Sequence, residues 1–160
     1  VTFNVSIPEF STRAIGDGTS AKTLYWGVYD QKNVLLKEIS NFNGQEFRSP
    51  AKVTLTLAKD KAYNVIFWAA AEDAPYTVNF AEKTMTVNYN GAVSNDENRD
   101  AFYKLHTFTV SGTQTETIEL RRPFAQVNVG TNDFGKAADS GYEPNKSALK
   151  VNNVYQTLNL

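Results

Sequence analysis

The seven residues VTFNVSI, Val1 to Ile7, decide the fold. Val1, Phe3, Val5 and Ile7 fall on one side of an extended chain, and Thr2, Asn4 and Ser6 on the other. That is the period of a strand with one face in a core. The alternation returns downstream. KVTLTLA turns Val53, Leu55 and Leu57 inward, HTFTV turns Phe108 and Val110, and TETIEL turns Ile118 and Leu120. FAQVNVG carries Phe124, then Gln126 or Val127, then Val129. These runs are rich in Thr, Val, Phe and Tyr, whose branched or aromatic side chains suit a pleated surface.

Turn signals separate the runs: Gly16-Asp17-Gly18, Asn43-Gly44, Ala58-Lys59-Asp60-Lys61, Asn90-Gly91 and Ser111-Gly112. Asn-Gly is a favoured hairpin dipeptide. Strands are therefore predicted near 2–8, 23–29, 33–40, 52–58, 62–71, 76–80, 84–88, 105–110, 115–120, 124–130 and 147–159. Their short, even spacing predicts an all-β antiparallel sandwich forming one domain over residues 1–160. SNDENRDAFYKLH, residues 94–106, breaks the pattern. Ser94 or Asn95 is placed to cap one or two helical turns, with Asp96 and Glu97 in the first turn and Ala101, Phe102 and Leu105 inward. TNDFGKAADSGYEPNKS, residues 131–147, is the longest predicted loop.

A chain of 160 residues is long enough to bury a core without covalent staples. Its 16 basic and 17 acidic residues leave a net charge of -1, with no like-charge run beyond Arg121-Arg122. A nucleic acid or an anionic membrane bound through bulk electrostatics is not expected. With no cysteine, the chain has no disulfide, thiolate nucleophile or Cys-based zinc site. Its longest apolar run, VIFWAAA from Val65 to Ala71, falls far short of the roughly 20 residues of a membrane helix. Val1 follows neither a methionine nor a charged, apolar leader, and any targeting segment is expected to have been removed upstream of it.

Chemistry-bearing residues are sparse. His106, the single histidine, lies in an alternating run without a G-x-S-x-G elbow and reads as structural rather than as one corner of a triad. Asp96, Glu97 and Asp100, and separately Asn132, Asp133 and Asp139, offer oxygen atoms without a calcium-loop spacing, and read as capping and turn residues. Glu72 and Asp73 are adjacent, point to opposite sides of a strand end, and cannot flank one glycosidic bond. Tyr25, Trp26, Tyr29, Trp68 and Tyr76 would make either a sugar platform or core packing, and the apolar run around Phe67 and Trp68 favours the core. No catalytic, metal or cofactor site is predicted, and the chain is not expected to be an enzyme.

One arginine stands apart. Arg13 lies in STRAIGDG, a polar connection between the first strand and the run beginning near Leu24. It is either a solvated loop charge or a site a protease reaches, since cleavage needs an exposed, extended segment.

The order of VTFNVSIP, TRAIGDG, LYWGVYD, YNVIFWAAA, the SNDENRDAFY connection and RRPFAQVNVGTNDFG resembles the N-terminal domain of the fimbrillin family, over nearly the whole chain. These are type V pilus subunits and related surface lipoproteins of Gram-negative bacteria. The resemblance implies a transthyretin-like sandwich, usually followed by a second sandwich domain, and a place at the cell surface, in the outer membrane or in a fimbrium. A lipid anchor on a cysteine upstream of Val1 is implied, as are partners among other fimbrial subunits or host and bacterial surface ligands. In polymerising members an arginine-specific protease removes the first strand, and a strand of another subunit takes its place. Here that implies Arg13 as the processing site and Phe3, Val5 and Ile7 as the side chains of the exchanged strand. The alternative is a surface glycan-binding lipoprotein that never polymerises, whose binding would depend on Trp26 or Tyr76.

Overall fold

The structure is a computed structural model, and it describes residues 1–8, 18–93, 96–124, 134–141 and 150–160. Among the described residues ten strands form three sheets. β1 (Thr2–Ser6), β4 (Ala51–Thr54) and β9 (Thr115–Glu119) make a three-stranded sheet in the order β4-β1-β9. The four-stranded sheet has the order β3-β2-β5-β8, built from β2 (Thr23–Asp30), β3 (Asn41–Glu46), β5 (Ala62–Ala70) and β8 (Ala101–Thr109). The third, β10-β7-β6, joins β6 (Tyr76–Asn79), β7 (Thr84–Val87) and β10 (Thr157–Asn159). The chain is an all-β sandwich. Antiparallel pairing dominates, with one departure from expectation: β1 and β9 run parallel.

The reason for this layering is written in β5. AYNVIFWAA is apolar on both faces, as a strand covered on both sides must be. Tyr63, Val65, Phe67 and Ala69 join the main core with Phe3 and Val5 of β1, Val53 of β4 and Ile118 of β9. Ile66 and Trp68, on the opposite face, are as fully enclosed as those residues, and so are Tyr29 of β2 and Met85 of β7. The edge-to-face contact of Trp68 with Tyr76, centroids 5.5 Å apart, and the 2.6 Å hydrogen bond from the Tyr29 hydroxyl to the Phe80 carbonyl hold the β6–β7 hairpin to this outer face. Gly27 makes that approach possible. A Cβ there would stand 2.6 Å from a Phe80 ring carbon.

Several predicted elements moved. Residues 33–40 form no strand, only a bridge from Leu35 to Tyr29 and a 3-10 turn at Lys37–Ile39. The Asp30 carboxylate accepts from the amides of Lys32 and Val34 and turns the chain there, with Asn33 at φ 62°. The strand that follows, β3, swallows the predicted Asn43-Gly44 hairpin turn. Asn41 Oδ1 accepts from both their amides, Gly44 takes φ 79°, and the register with β2 shifts between Leu24 and Trp26, a bulge in place of a hairpin loop. β4 ends at Thr54, short of the predicted 58, and leaves Leu57 half-buried.

Of the predicted helix at 94–106, Ser94 and Asn95, the expected caps, lie outside the described residues; the rest holds one 3-10 turn, Glu97–Arg99, with Asp96 as its cap through a 3.2 Å bond from the Asn98 amide. β8 then starts at Ala101. Ala101 and Phe102 are buried as expected, but strand alternation turns Leu105 away from Phe108, and it is 43% exposed. Inside the predicted 131–147 loop lies a short helix, α1 (Phe134–Asp139). Of the predicted 147–159 strand, Thr157–Asn159 is extended in a sheet, residues 150–156 are not, and 147–149 lie outside the described residues. The predicted 124–130 strand, apart from Phe124, also lies outside them.

The chain divides into two compact units. One comprises Val1–Pro123 with Gln156–Leu160 and holds all ten strands; the other, Phe124–Tyr155, holds α1.

Within the first unit, Arg122 clamps the start of β8. Its Nε and Nη2 reach the two Asp100 carboxylate oxygens at 2.6 and 2.7 Å, and its guanidinium lies 4.9 Å from the Phe102 ring centroid. Planar pairing of this kind is the strong form of ion pair. Arg122→Ala is expected to cost about 2 kcal/mol, because a mostly buried carboxylate loses its charged donor. Thermal melts of the variant beside Arg121→Ala, at an exposed position, check this: equal melting temperatures would contradict it.

Candidate functional site

Two features stand out, the slot that holds β1 and a cleft on the outer face of the four-stranded sheet.

β1 is the middle strand of its sheet. On one side Phe3 is opposite Val53 and Val5 opposite Ala51, antiparallel; on the other Phe3 is opposite Glu116 and Val5 opposite Ile118, parallel. The ends are tied as well. The Val1 amine and carbonyl bond Leu55 at 2.8 Å each, the Thr2 amide donates to Gln114 at 2.9 Å, and the Leu120 amide donates to Ser6 at 2.8 Å. Phe3 and Val5 are fully buried and Ile7 half-buried. The Phe3 ring meets Phe67 and Phe108 edge-on at 5.4 and 5.2 Å. Withdrawing β1 would therefore open an apolar slot and bare two strand edges at once. Arg13 lies outside the described residues.

His106 points from β8 toward that slot. Its ring stacks on Phe108 at 5.6 Å and meets Phe3 at 6.4 Å; Nε2 is enclosed without a hydrogen bond, 3.5 Å from Glu116 Oε2. Among the described residues no nucleophile is hydrogen-bonded to Nε2. The acids suspected of metal binding are otherwise engaged: Asp96 pairs with Arg99 at 3.2 Å and Asp100 with Arg122. Asn132 and Asp133 lie outside the described residues, and Asp139 ends α1. Among the described residues no group of three or more His, Cys, Asp or Glu is placed to hold a metal ion, and no helix is long and apolar enough to cross a membrane.

The five aromatic residues divide between the two readings. Trp26, Tyr29 and Trp68 are core residues, and the Trp26 indole N–H donates to the Ile39 carbonyl at 3.0 Å. Trp26 therefore faces away from the cleft and is no sugar platform, which corrects the dependence expected of it. Tyr25 and Tyr76 do line the cleft, a space of about 600 Å³ between the β2–β3 side of the sheet and β6. Sequence reasoning missed Phe42, which is 42% exposed at the cleft and tilted against Phe80 with centroids 5.4 Å apart. The signal was the aromatic residue beside Asn41, obscured once a strand had been assigned to 33–40.

Burial pushes the Tyr29 phenol up to about 12, and burial likewise pushes Tyr76 up to about 12, with a smaller opposing pull from Arg99. The Tyr76 hydroxyl donates to the Arg99 carbonyl and so needs its proton. Between pH 10 and 12 the unfolded chain loses these protons while the folded one keeps them, so stability falls as pH rises through that window. The expected loss is of order 2 kcal/mol for the enclosed Tyr29. Phenolate absorbance should show Tyr29 and Tyr76 ionising only as the fold is lost. Complete ionisation near pH 10 with the fold intact would contradict this.

The fold and these two features define an all-β sandwich domain with a central strand paired on both sides and a surface cleft. The chain belongs to a family of unknown function, DUF6562, whose family model matches residues 1–160. No curated protein matches. Among solved structures it is similar to a candidate adhesin from Bacteroides thetaiotaomicron, at 9% identity and TM-score 0.51, covering 76% of this chain and 45% of that one. It is also similar to a candidate adhesin from Bacteroides ovatus, at 13% identity and TM-score 0.50, with coverage of 76% and 45%. A candidate polysaccharide-binding protein from Bacteroides thetaiotaomicron matches at 16% identity and TM-score 0.48, covering 76% and 46%. At these identities the likeness speaks to the fold alone. The chain spans less than half the length of each of these structures.

Proposed function

We propose that this domain is a non-enzymatic structural or adhesive subunit of a surface fimbria of a Gram-negative bacterium, as stalk, tip or anchor. Cleavage at Arg13 releases its first strand, and a strand of another subunit fills the slot. Its partners are then other subunits and surface ligands, and it meets the membrane only through a lipid anchor outside this chain. The observation that carries the reading is the position of β1. It is flanked on both sides, so its loss leaves unpaired edges on β4 and β9 over a floor that had held Phe3 and Val5. Only another strand satisfies both the backbone groups and the apolar floor. Such a contact is head-to-tail and need not close into a ring, so it propagates.

Brief treatment with an arginine-specific protease tests this. The expected result is loss of the first 13 residues followed by a ladder of oligomers on a gel, absent from Arg13→Ala. A nicked protein that stays monomeric, or a ladder unchanged in Arg13→Ala, would overturn the reading. The cleft favours a second reading, a surface glycan-binding protein that does not polymerise.

A further inference from the structure

We infer that the outer-face cleft is a saccharide site, which takes a neutral sugar ring against Phe42 and Tyr25. The inference rests on the adhesive part of the proposed function and not on strand exchange.

Three observations converge. The first is an apolar wall left open to solvent: Phe42 of β3 is an exposed aromatic residue at the cleft, and Tyr25 stands beside it on β2. A pyranose has one face of C–H groups and a rim of hydroxyls, so it needs such a wall together with polar groups around it.

The second observation is the set of polar groups with nothing to do. Among the described residues, the Tyr25 and Thr77 hydroxyls, the Lys37 ammonium and the Glu72 carboxylate line the cleft with no hydrogen-bond or ion-pair partner. Lys37 and Glu72 oppose each other in sign, so neither an acidic nor a cationic ligand gains from both. A neutral polyhydroxyl ligand can use all four.

The third lies on the floor. Trp68 is only 2% exposed, it lines the cleft, and its indole N–H has no hydrogen-bond partner among the described residues. The other tryptophan, Trp26, spends its N–H on Ile39. The Trp68 N–H is not enclosed, so it opens onto the cleft, where a ligand hydroxyl can accept from it in place of water. An extended peptide beside β6, the edge strand of its sheet, is the competing occupant, but it makes no use of Lys37, Glu72 and the indole together.

The two tryptophans make the test direct. A 15N-labelled sample shows two indole N–H signals, assigned by Trp26→Phe. The protein is first screened on an array of neutral and uronic-acid-containing oligosaccharides, and the best binder is then titrated. The expected result is a neutral glycan that shifts the Trp68 indole signal and leaves that of Trp26 in place. Phe42→Ala should weaken binding at least tenfold and Tyr25→Phe severalfold, while Leu105→Ser, on β8 away from the cleft, leaves it unchanged. Absence of any array binding overturns the inference. So does a bound glycan indifferent to Phe42→Ala, or a shift of the Trp68 signal by the peptide VTFNVSI and by no glycan. A protein that ladders after cleavage yet binds no glycan refutes the cleft alone; one that binds glycan and never ladders refutes strand exchange alone.

Discussion

Phe3→Ala should lower stability by about 3–5 kcal/mol, the range for truncating a fully buried aromatic residue. For a domain of this size that is a fall in melting temperature on the order of 10 °C. Phe3 is fully buried and touches Phe67 and Phe108 edge-on, so its loss removes apolar burial, two ring contacts and the filling of a site bounded by strands of both sheets. The surrounding rings belong to β5 and β8, which pair along nine residues and have little freedom to collapse into the space. Phe3→Leu, which keeps most of the volume, should recover more than half of the loss. Urea unfolding of the three proteins measures this. A cost below about 1 kcal/mol for Phe3→Ala would mean that β1 is not held by its side chains.

The second large effect is expected on the other side of the same sheet. Gly27→Val places a Cβ 2.6 Å from a Phe80 ring carbon and 3.0 Å from the Tyr29 hydroxyl, with two further methyls behind it. The Phe80 ring must leave, and with it goes the hydrogen bond from Tyr29 to the Phe80 carbonyl. Overpacking of this kind costs about 3 kcal/mol, near the upper end of its usual range. The damage should be local to the outer layer. Amide exchange is expected to speed up in β6 and β7 while β1, β4 and β9 keep their protection. Uniform loss of protection, or a stability within about 0.5 kcal/mol of the parent, would contradict the account.

The contrast between these two positions explains what the sequence made legible. Phe3, Val5, Val53, Phe108 and Ile118 sit in runs that alternate cleanly, because each such strand has one face in the main core, and all are buried. β5 was equally visible, its unbroken apolar run marking the strand that both layers cover. Where alternation is masked by polar groups turned inward, the reading failed. In β8 the inward face runs Phe102, Lys104, His106, Phe108, and two polar members hid a strand that spacing alone mistook for a helix. Turn chemistry produced the other error. Asn43-Gly44 carries the hairpin signature, but the Asn41 side chain caps both amides and keeps the chain in the sheet as a bulge. The cleft was illegible for a different reason: Phe42, Trp68 and Thr77 come from three strands and two sheets, and nothing local to any of them announces the meeting.

The central claim is that β1 fills a slot another strand can occupy, and trans-complementation measures it most directly. Protein cleaved at Arg13 and freed of its first strand is mixed with the synthetic peptide VTFNVSIP, and in parallel with the same peptide carrying Phe3→Ala. The account predicts one peptide bound per domain, a melting temperature restored toward that of the intact protein, and suppression of oligomers, with the Phe3→Ala peptide binding at least a hundredfold more weakly. Equal binding of the two peptides, or a cleaved domain that neither binds peptide nor oligomerises, would contradict it.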